Sequence, residues 1–305
     1  MTAFDDEVRA EAVQLRSARG QRLFGLRCEP CGGEPRGLVV MPPGYERRIH
    51  HHSVLSRFLV RHGYATLRFD LSNHLGLSEG EIAGFKMSSM TADVLGVLAG
   101  CADAEPRFVV ASSLAARATV RALASEPSLR PDGAVLILPV IDTEATTTAA
   151  IGRNVVDDWR SGRVRDRDRL CRVLDHDVRY AFSEDVLDHG FDGVEGTLAE
   201  LAAIACPVLC IAAERDDWVD FRDVERAMAV EAPAARATVV LEASSHDLAG
   251  NLPVARALMG EVLGGLAGEP QEPDHLDFEE IVETVNRERG WKAEEYRALA
   301  VTEAR

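Results

Sequence analysis

The stretch Arg107-Phe-Val-Val-Ala-Ser-Ser-Leu-Ala-Ala116 joins an apolar run to a helical pattern with no loop residues between them. Residues 107–111 read as a buried strand and residues 114–124 as a helix, so the chain must reverse at Ser112 and Ser113. Such a turn strains the backbone of its central residue and lifts that side chain above the sheet. Strand and helix then pass so close together that the residues two before and two after must be small. Ala111 and Ala115 meet that need, less comfortably than glycine would. Ala-x-Ser-x-Ala is a weak pattern in a chain this rich in Ala. Its position on a strand-to-helix turn is what singles out Ser113 as a candidate nucleophile.

Strand and helix patterns alternate on both sides of this junction. Strands are expected at 37–41, 64–69, 134–138, 207–212 and 237–241, and helices at 51–62, 90–98, 223–230 and 252–266, with Thr91 as an N-cap. Steady alternation implies an α/β fold: a doubly wound, mostly parallel sheet with helices on both faces. Residues 13–17 and 22–27 cluster like a hairpin at a sheet edge. The rhythm pauses over 141–205, a polar stretch with short helical pieces at 156–160, 165–174 and 195–203. It reads as a cap inserted over the carboxyl edge of the sheet, where such folds place their sites. After Gly268-Glu-Pro-Gln-Glu-Pro273 a helical tail is expected over 274–305, with Phe278, Ile281, Val282 and Val285 favouring docking. The organisation is thus one domain over 1–305 carrying an inserted cap and a C-terminal helix.

Composition narrows the function. With 34 Lys plus Arg against 50 Asp plus Glu, the net charge is −16, which argues against a nucleic-acid binder. No apolar run approaches the length of a membrane span, and the first twenty residues lack a signal or transit pattern. The six cysteines, Cys28, Cys31, Cys101, Cys171, Cys206 and Cys210, are then expected as reduced thiols in the cytoplasm. Cys28-Glu-Pro-Cys31 has zinc-knuckle spacing without a second pair, and the Pro and Gly around it suit a hairpin tip. His50-His-His52 cannot converge on one ion from adjacent helical positions, so no metal and no cofactor is expected.

A serine hydroxyl needs a base to take its proton and a third group to orient that base. Partners on this kind of sheet come in the order Ser, acid, His, each just after a later strand. Ala213-Glu-Arg-Asp-Asp-Trp-Val219 follows the 207–212 strand, and Glu242-Ala-Ser-Ser-His-Asp-Leu248 follows the 237–241 strand. Asp216 is preferred to Asp217 because Val219, three residues on, can anchor its loop, and His246 supplies the base. Two backbone N–H groups are needed for a developing oxyanion: that of Leu114, after the nucleophile, and that of Tyr45, in Pro42-Pro-Gly-Tyr-Glu-Arg-Arg48. Asp70 and His74 lie at the same rim, with loop structuring the leading role and substrate contact a second one for His74. Phe182, Val186 and Leu187 in the cap are candidate liners of a pocket, and Arg47, Arg48, Arg57 and Arg61 a candidate basic patch for an acidic partner.

On Gly44-Tyr-Glu-Arg-Arg48, Phe69-Asp70, His74-Leu-Gly-Leu-Ser-Glu-Gly80, Ser113-Leu114, Asp216-Asp-Trp-Val219, Ser244-Ser-His-Asp-Leu248 and the tail residues Val285-Asn286, the chain resembles a known family. It is the bacterial bioluminescence acyl transferase, or myristoyl-acyl-carrier-protein thioesterase, of the α/β-hydrolase superfamily. The likeness runs over nearly the whole length, and departures fall at Ala115, Glu46 and the Cys28–Cys31 segment. The resemblance implies a triad at Ser113, Asp216 and His246, and a serine-dependent thioesterase or acyltransferase acting on an acyl thioester. It implies acyl carrier protein or CoA as the donor and a reductase or other biosynthetic complex as a partner. Acyl chain length and the choice of water or another acceptor are left open. A carboxylesterase, a cyclase and a non-catalytic hydrolase-like subunit are the alternatives.

Overall fold

A computed structural model of the chain describes residues 8–104, 106–246, 248 and 251–268. The tail expected at 274–305 lies outside them. The strands are β1 Val8–Arg16, β2 Arg22–Pro30, β3 Leu38–Met41, β4 Ala65–Phe69, β5 Arg107–Ser112, β6 Gly133–Ile137, β7 Leu170–Val173, β8 His176–Arg179, β9 Val208–Ala213 and β10 Arg236–Leu241. The helices are α1 Ser53–Arg61, α2 Met87–Gly100, α3 Leu114–Ser125, α4 Thr143–Ile151, α5 Val155–Arg160, α6 Ala181–Asp188, α7 Val194–Ala203, α8 Phe221–Met228 and α9 Leu252–Ala267.

Eight strands form one sheet in the order β1-β2-β4-β3-β5-β6-β9-β10. From β4 to β10 every neighbouring pair is parallel, and β1 and β2 form the antiparallel edge. β3, β4, β5 and β6 are buried over nearly their whole length, as strands covered on both faces must be. One apolar layer packs α1 and α9 against the sheet through Phe58, Leu59, Val262 and Leu263. The other packs α2, α3 and α8 through Val94, Leu98, Ala118 and Val224. Chain direction reverses between β3 and β5: the chain leaves β3 toward β4, then crosses back to β5. In open parallel sheets this switch point opens a crevice at the carboxyl ends of the strands. The loop after β3 and the turn after β5 therefore face each other.

Three local expectations are corrected. Thr91 lies inside α2, where its hydroxyl donates to the Met87 carbonyl at 3.0 Å, and Lys86 stands at the cap. Residues 165–174 are not helical. Leu170–Val173 alternates exposed and buried, Cys171 and Val173 facing in, and pairs with His176–Arg179 as a two-stranded hairpin. The tip of the β1–β2 hairpin lies at 17–21, held by Ser17, so Cys28 sits within β2, buried, and exposed Cys31 follows it.

Between β6 and β9 the chain inserts α4–α7 and the β7–β8 hairpin. A buried ionic clamp holds the end of this insertion to the helix that follows Ser113. Arg117 of α3, with a fully buried side chain, donates to Glu200 of α7 at 2.5 and 3.3 Å. Arg121 pairs with the same carboxylate and donates to the His189 carbonyl at 2.8 Å. Both guanidinium groups stack on Phe191, at 4.9 and 4.3 Å. On the other side Asp185 of α6 accepts from the Ser88 N–H at 2.9 Å and its hydroxyl at 2.5 Å, fastening the insertion to the start of α2.

Removing one partner of a buried ion pair leaves an uncompensated charge, so Glu200→Ala is expected to destabilise the fold by about 3–5 kcal/mol. Arg121→Ala, which leaves the Arg117–Glu200 pair intact, is expected to cost less. Chemical denaturation of both variants checks the ranking.

Candidate active site

The turn between β5 and α3 has the strain that the sequence predicts. Ser113 stands at φ 53°, ψ −127°, and its N–H donates to the Ile137 carbonyl at 2.9 Å. Ala111 and Ala115 are completely buried between strand and helix. A larger side chain at either position would push α3 off the sheet.

Three side chains meet above this turn. The Ser113 hydroxyl lies 3.0 Å from His246 Nε2, and His246 Nδ1 lies 2.8 Å from Asp216 Oδ2. Asp216 Oδ1 accepts from the amides of Trp218 at 2.9 Å and Val219 at 3.0 Å, so both carboxylate oxygens are held. Asp217, one residue on, is exposed. Burial pushes the Asp216 carboxyl up. The bonds from His246, Trp218 and Val219 outweigh it and hold the group below its ordinary value. A carboxylate fixed in this way orients the imidazole with Nδ1 as donor and leaves Nε2 to accept from the serine.

The acid and base loops brace each other. Arg215 N–H donates to the Ser244 carbonyl at 2.9 Å, and Ala243 N–H donates to the Glu214 carboxylate at 2.8 Å. The Ser244 hydroxyl donates to the Leu241 carbonyl at 2.6 Å. Trp218 packs against the His246 ring, 4.6 Å between centroids. These loops follow adjacent parallel strands, β9 and β10, so the register of the sheet carries their separation.

Across the crevice, Gly44 approaches the turn at Ser112 and Ser113 closely. A Cβ added there would lie 3.4 Å from the Ser112 carbonyl oxygen. Among the described residues, neither the Tyr45 N–H nor the Leu114 N–H donates to a protein acceptor. Both residues line the same cavity as Ser113. The Tyr45 side chain is buried and points away from the turn, its hydroxyl donating to the Val173 carbonyl at 3.3 Å. Burial raises the pKa of that phenol, which keeps it a donor.

The cavity has a volume of about 780 Å³ and opens to solvent. Its floor is Ser113, Leu114 and His246. α4 lines it with Thr146, Thr147, Ala150 and Ile151, and the tip of the β7–β8 hairpin lines it with Val173 and Leu174. Arg47, Arg153 and Arg172 stand along it too.

Several expectations change here. Phe182, Val186 and Leu187 are not cavity liners. Phe182 and Val186 are buried in the core, where Phe182 stacks on Phe85 at 5.8 Å, and Leu187 packs against the same core. The inward stripe of α6 faces the body of the protein, and α4 supplies the wall instead. The α4 wall is not legible in the sequence because its lining residues are two Thr, one Ala and a single large apolar residue, Ile151, too few to make a hydrophobic stripe. His74 does not line the cavity either. Its Nε2 accepts from the Glu46 N–H at 3.0 Å, and burial together with His176 pushes its pKa down to about 3, so it acts as a neutral acceptor. Asp70 is likewise structural, accepting from the Ile49 and Leu77 amides at 2.8 and 2.9 Å. The expected basic patch is dispersed. Arg47 lines the cavity and Arg48 is exposed beside it, while Arg57 is buried in α1. Arg61 closes that helix about 6 Å beyond Arg57 along the axis, further from the site, because α1 runs back antiparallel to the strands.

Relaxing a strained backbone position such as that of Ser113 stabilises the chain. Ser113→Gly is expected to be more stable than Ser113→Ala by about 1–3 kcal/mol. Thermal unfolding of the two variants, side by side, measures this difference without any substrate.

The family and the fold are both found among known proteins. A family model described as acyl transferase matches residues 32–267. The acyl transferase of Vibrio harveyi is 26% identical over 301 residues, covering 95% of this chain and 97% of its own length. That of Photorhabdus laumondii subsp. laumondii is 26% identical over 252 residues, covering 81% and 79%. These matches bear out the resemblance read from the residues. Among solved structures, the α/β hydrolase GrgF from Penicillium sp. sh18 superposes with a TM-score of 0.66 at 13% identity, covering 86% of this chain and 99% of its own. An esterase of Pyrococcus furiosus superposes with a TM-score of 0.62 at 18% identity, covering 89% and 96%. Identities this low speak for the fold alone, which is that of an α/β hydrolase. With more than half its length matched by the family model, the chain belongs to the acyl transferase family.

Proposed function

We propose that this protein is a serine-dependent acyl hydrolase or acyltransferase, releasing or transferring an acyl group from a thioester through a Ser113 acyl-enzyme. The observation that carries the reading is the continuous hydrogen-bonded chain from Ser113 through His246 to Asp216, at the floor of a large cavity. His246 Nε2 takes the hydroxyl proton as Ser113 Oγ attacks the acyl carbonyl. The carbonyl oxygen, now negative, is held by the Leu114 and Tyr45 N–H groups. The thiol departs with the proton from His246, leaving an ester on Ser113. Water or another acceptor, deprotonated in turn by His246, attacks that ester and frees the enzyme. Asp216 stays ionised throughout and stabilises the imidazolium.

The donor in this reading is acyl carrier protein or CoA. A carrier protein is acidic, and so is this chain at −16, so docking must fall on local positive charge. Arg47 and Arg48 beside the mouth, with Arg153 and Arg172 along the cavity, supply it. A reductase or other biosynthetic complex would then receive the released acyl product. The wall made by α4 would read the acyl chain, since Ala150 and Ile151 face the cavity without a polar group to satisfy. A carboxylesterase or cyclase uses the same machinery, and preference for oxygen esters over thioesters would favour it.

Three measurements test the proposal. Ser113→Ala is expected to abolish turnover of acyl thioesters and labelling by a fluorophosphonate, and wild-type turnover by this variant would overturn the assignment. Asp216→Asn is expected to retain the fold and to lose roughly 10³- to 10⁴-fold in kcat, the effect of orienting the wrong imidazole tautomer. Ala150→Phe is expected to shift the preferred acyl chain to shorter lengths, read by mass spectrometry of the acyl-enzyme formed from donors of graded length. An unchanged length profile would place the acyl chain elsewhere.

A further inference from the structure

Glu46 lies one residue beyond Tyr45 and holds two parts of the molecule at once. Its backbone is left-handed, at φ 61°, a conformation that costs a non-glycine residue on the order of 1 kcal/mol and persists only where its surroundings impose it. Both ends of the residue are fastened. The N–H donates to His74 Nε2 at 3.0 Å, and the carboxylate accepts from the Asp175 N–H at 2.7 Å, with His176 Nε2 at 3.9 Å from the same oxygen. Asp175 lies at the tip of the β7–β8 hairpin, beside Leu174, which is itself left-handed at φ 49°. Tyr45 adds a second tie to the same tip through its hydroxyl bond to Val173. Two successive residues of the loop after β3 therefore grip the backbone of one hairpin with their side chains. Val173, Leu174 and Asp175 line the cavity on one side of this joint, and the Tyr45 backbone faces Ser113 on the other.

We propose that Glu46 is a positioning residue: by pinning the β7–β8 hairpin to the loop after β3, it aims the Tyr45 N–H at the developing oxyanion and couples that aim to seating of the hairpin over the acyl chain. This rests on the reading of Ser113 and Tyr45 given above. The chemistry asks for an anionic or neutral oxygen at the end of a side chain of this length, because the partner is a backbone donor. Glutamine supplies such an oxygen, and alanine and glycine do not. Glycine, however, accepts the left-handed backbone without strain, which separates the work of the carboxylate from that of the backbone.

The test compares Glu46→Gln, Glu46→Ala and Glu46→Gly with wild type, using an acyl thioester whose turnover is abolished by Ser113→Ala. Glu46→Gln is expected to keep kcat within about threefold, while Ala and Gly lose about 10- to 100-fold in kcat with KM little changed, as expected for a misaimed donor. Amide hydrogen exchange, which needs no turnover, is measured on the same proteins. Residues 42–48 and 170–179 are expected to exchange faster together in Ala and Gly and to stay protected in Gln. Wild-type kcat in Glu46→Gly overturns the proposal, and so does a rise in KM at constant kcat. Equal loss in Gln and Ala, or faster exchange in one segment without the other, also overturns it. If Ser113→Ala remains active the reading of the nucleophile fails instead, and the exchange experiment still decides whether Glu46 joins the two segments.

Discussion

Held at φ 53° between β5 and α3, the Ser113 backbone is strained, and the parallel sheet supplies what keeps it there. The Ser113 N–H is bonded to Ile137 at the end of β6, and Val140, just beyond β6, donates back to the Ser113 carbonyl at 3.3 Å. The turn is thus clamped by the neighbouring strand, and the small side chains of Ala111 and Ala115 let the helix close over it. Parallel pairing then does the rest of the geometry. Because β3, β5, β9 and β10 all end on one edge, the loops carrying Tyr45, Ser113, Asp216 and His246 have to share a rim only a few strand spacings wide. Residues more than 200 positions apart in sequence need only modest local bracing to meet.

That dependence explains which parts were legible beforehand. Alternation of apolar runs with helical patterns is a one-dimensional signal of a doubly wound sheet, and it places the six parallel strands within a residue or two, while the edge hairpin β1–β2 runs several residues longer than its pattern suggests. The meeting of Ser113, Asp216 and His246 was legible for the same reason, since each candidate sits at a fixed position just after a strand. The insertion obeyed no such rule. Whether Phe182 faces the cavity or the core depends on how α6 rolls against Phe85, and nothing local to 181–188 encodes that roll. The hairpin at Leu170–Val173 was hidden by its charged neighbours, which break the alternation to a single pair of inward residues, Cys171 and Val173. The burial of Arg57 is not legible locally, because an arginine beside Arg47, Arg48 and Arg61 has the sequence pattern of surface charge and its position depends on how α1 is rotated about its axis.

The insertion is fastened to the body by polar contacts at its two sides. Glu200 draws Arg117 and Arg121 together under Phe191, and Asp185 fixes the start of α2. An ionic fastening suits an added segment because it fixes orientation through directional bonds, whereas an apolar face alone would allow it to slide. The buried Arg117 follows directly from this arrangement: on α3, four residues after Ser113, it reaches outward to the insertion and does not line the cavity.

The same logic bears on the loop after β3. A developing oxyanion is stabilised by a donor that is already aimed, because reorientation during the reaction would consume the gain. Leu114 has its aim set by the start of α3. Tyr45 has no helix behind it, and Gly44 before it gives the loop freedom to approach Ser112. Its rigidity has to come from elsewhere. His74 fixes the backbone just beyond it on the sheet side, and the hairpin fixes its side chains on the cavity side. A residue pinned from two directions by separate elements is a sound support only while both elements are in place. Under the proposed mechanism, the seating of the inserted hairpin over the cavity and the readiness of the Tyr45 N–H as oxyanion donor then become one structural condition.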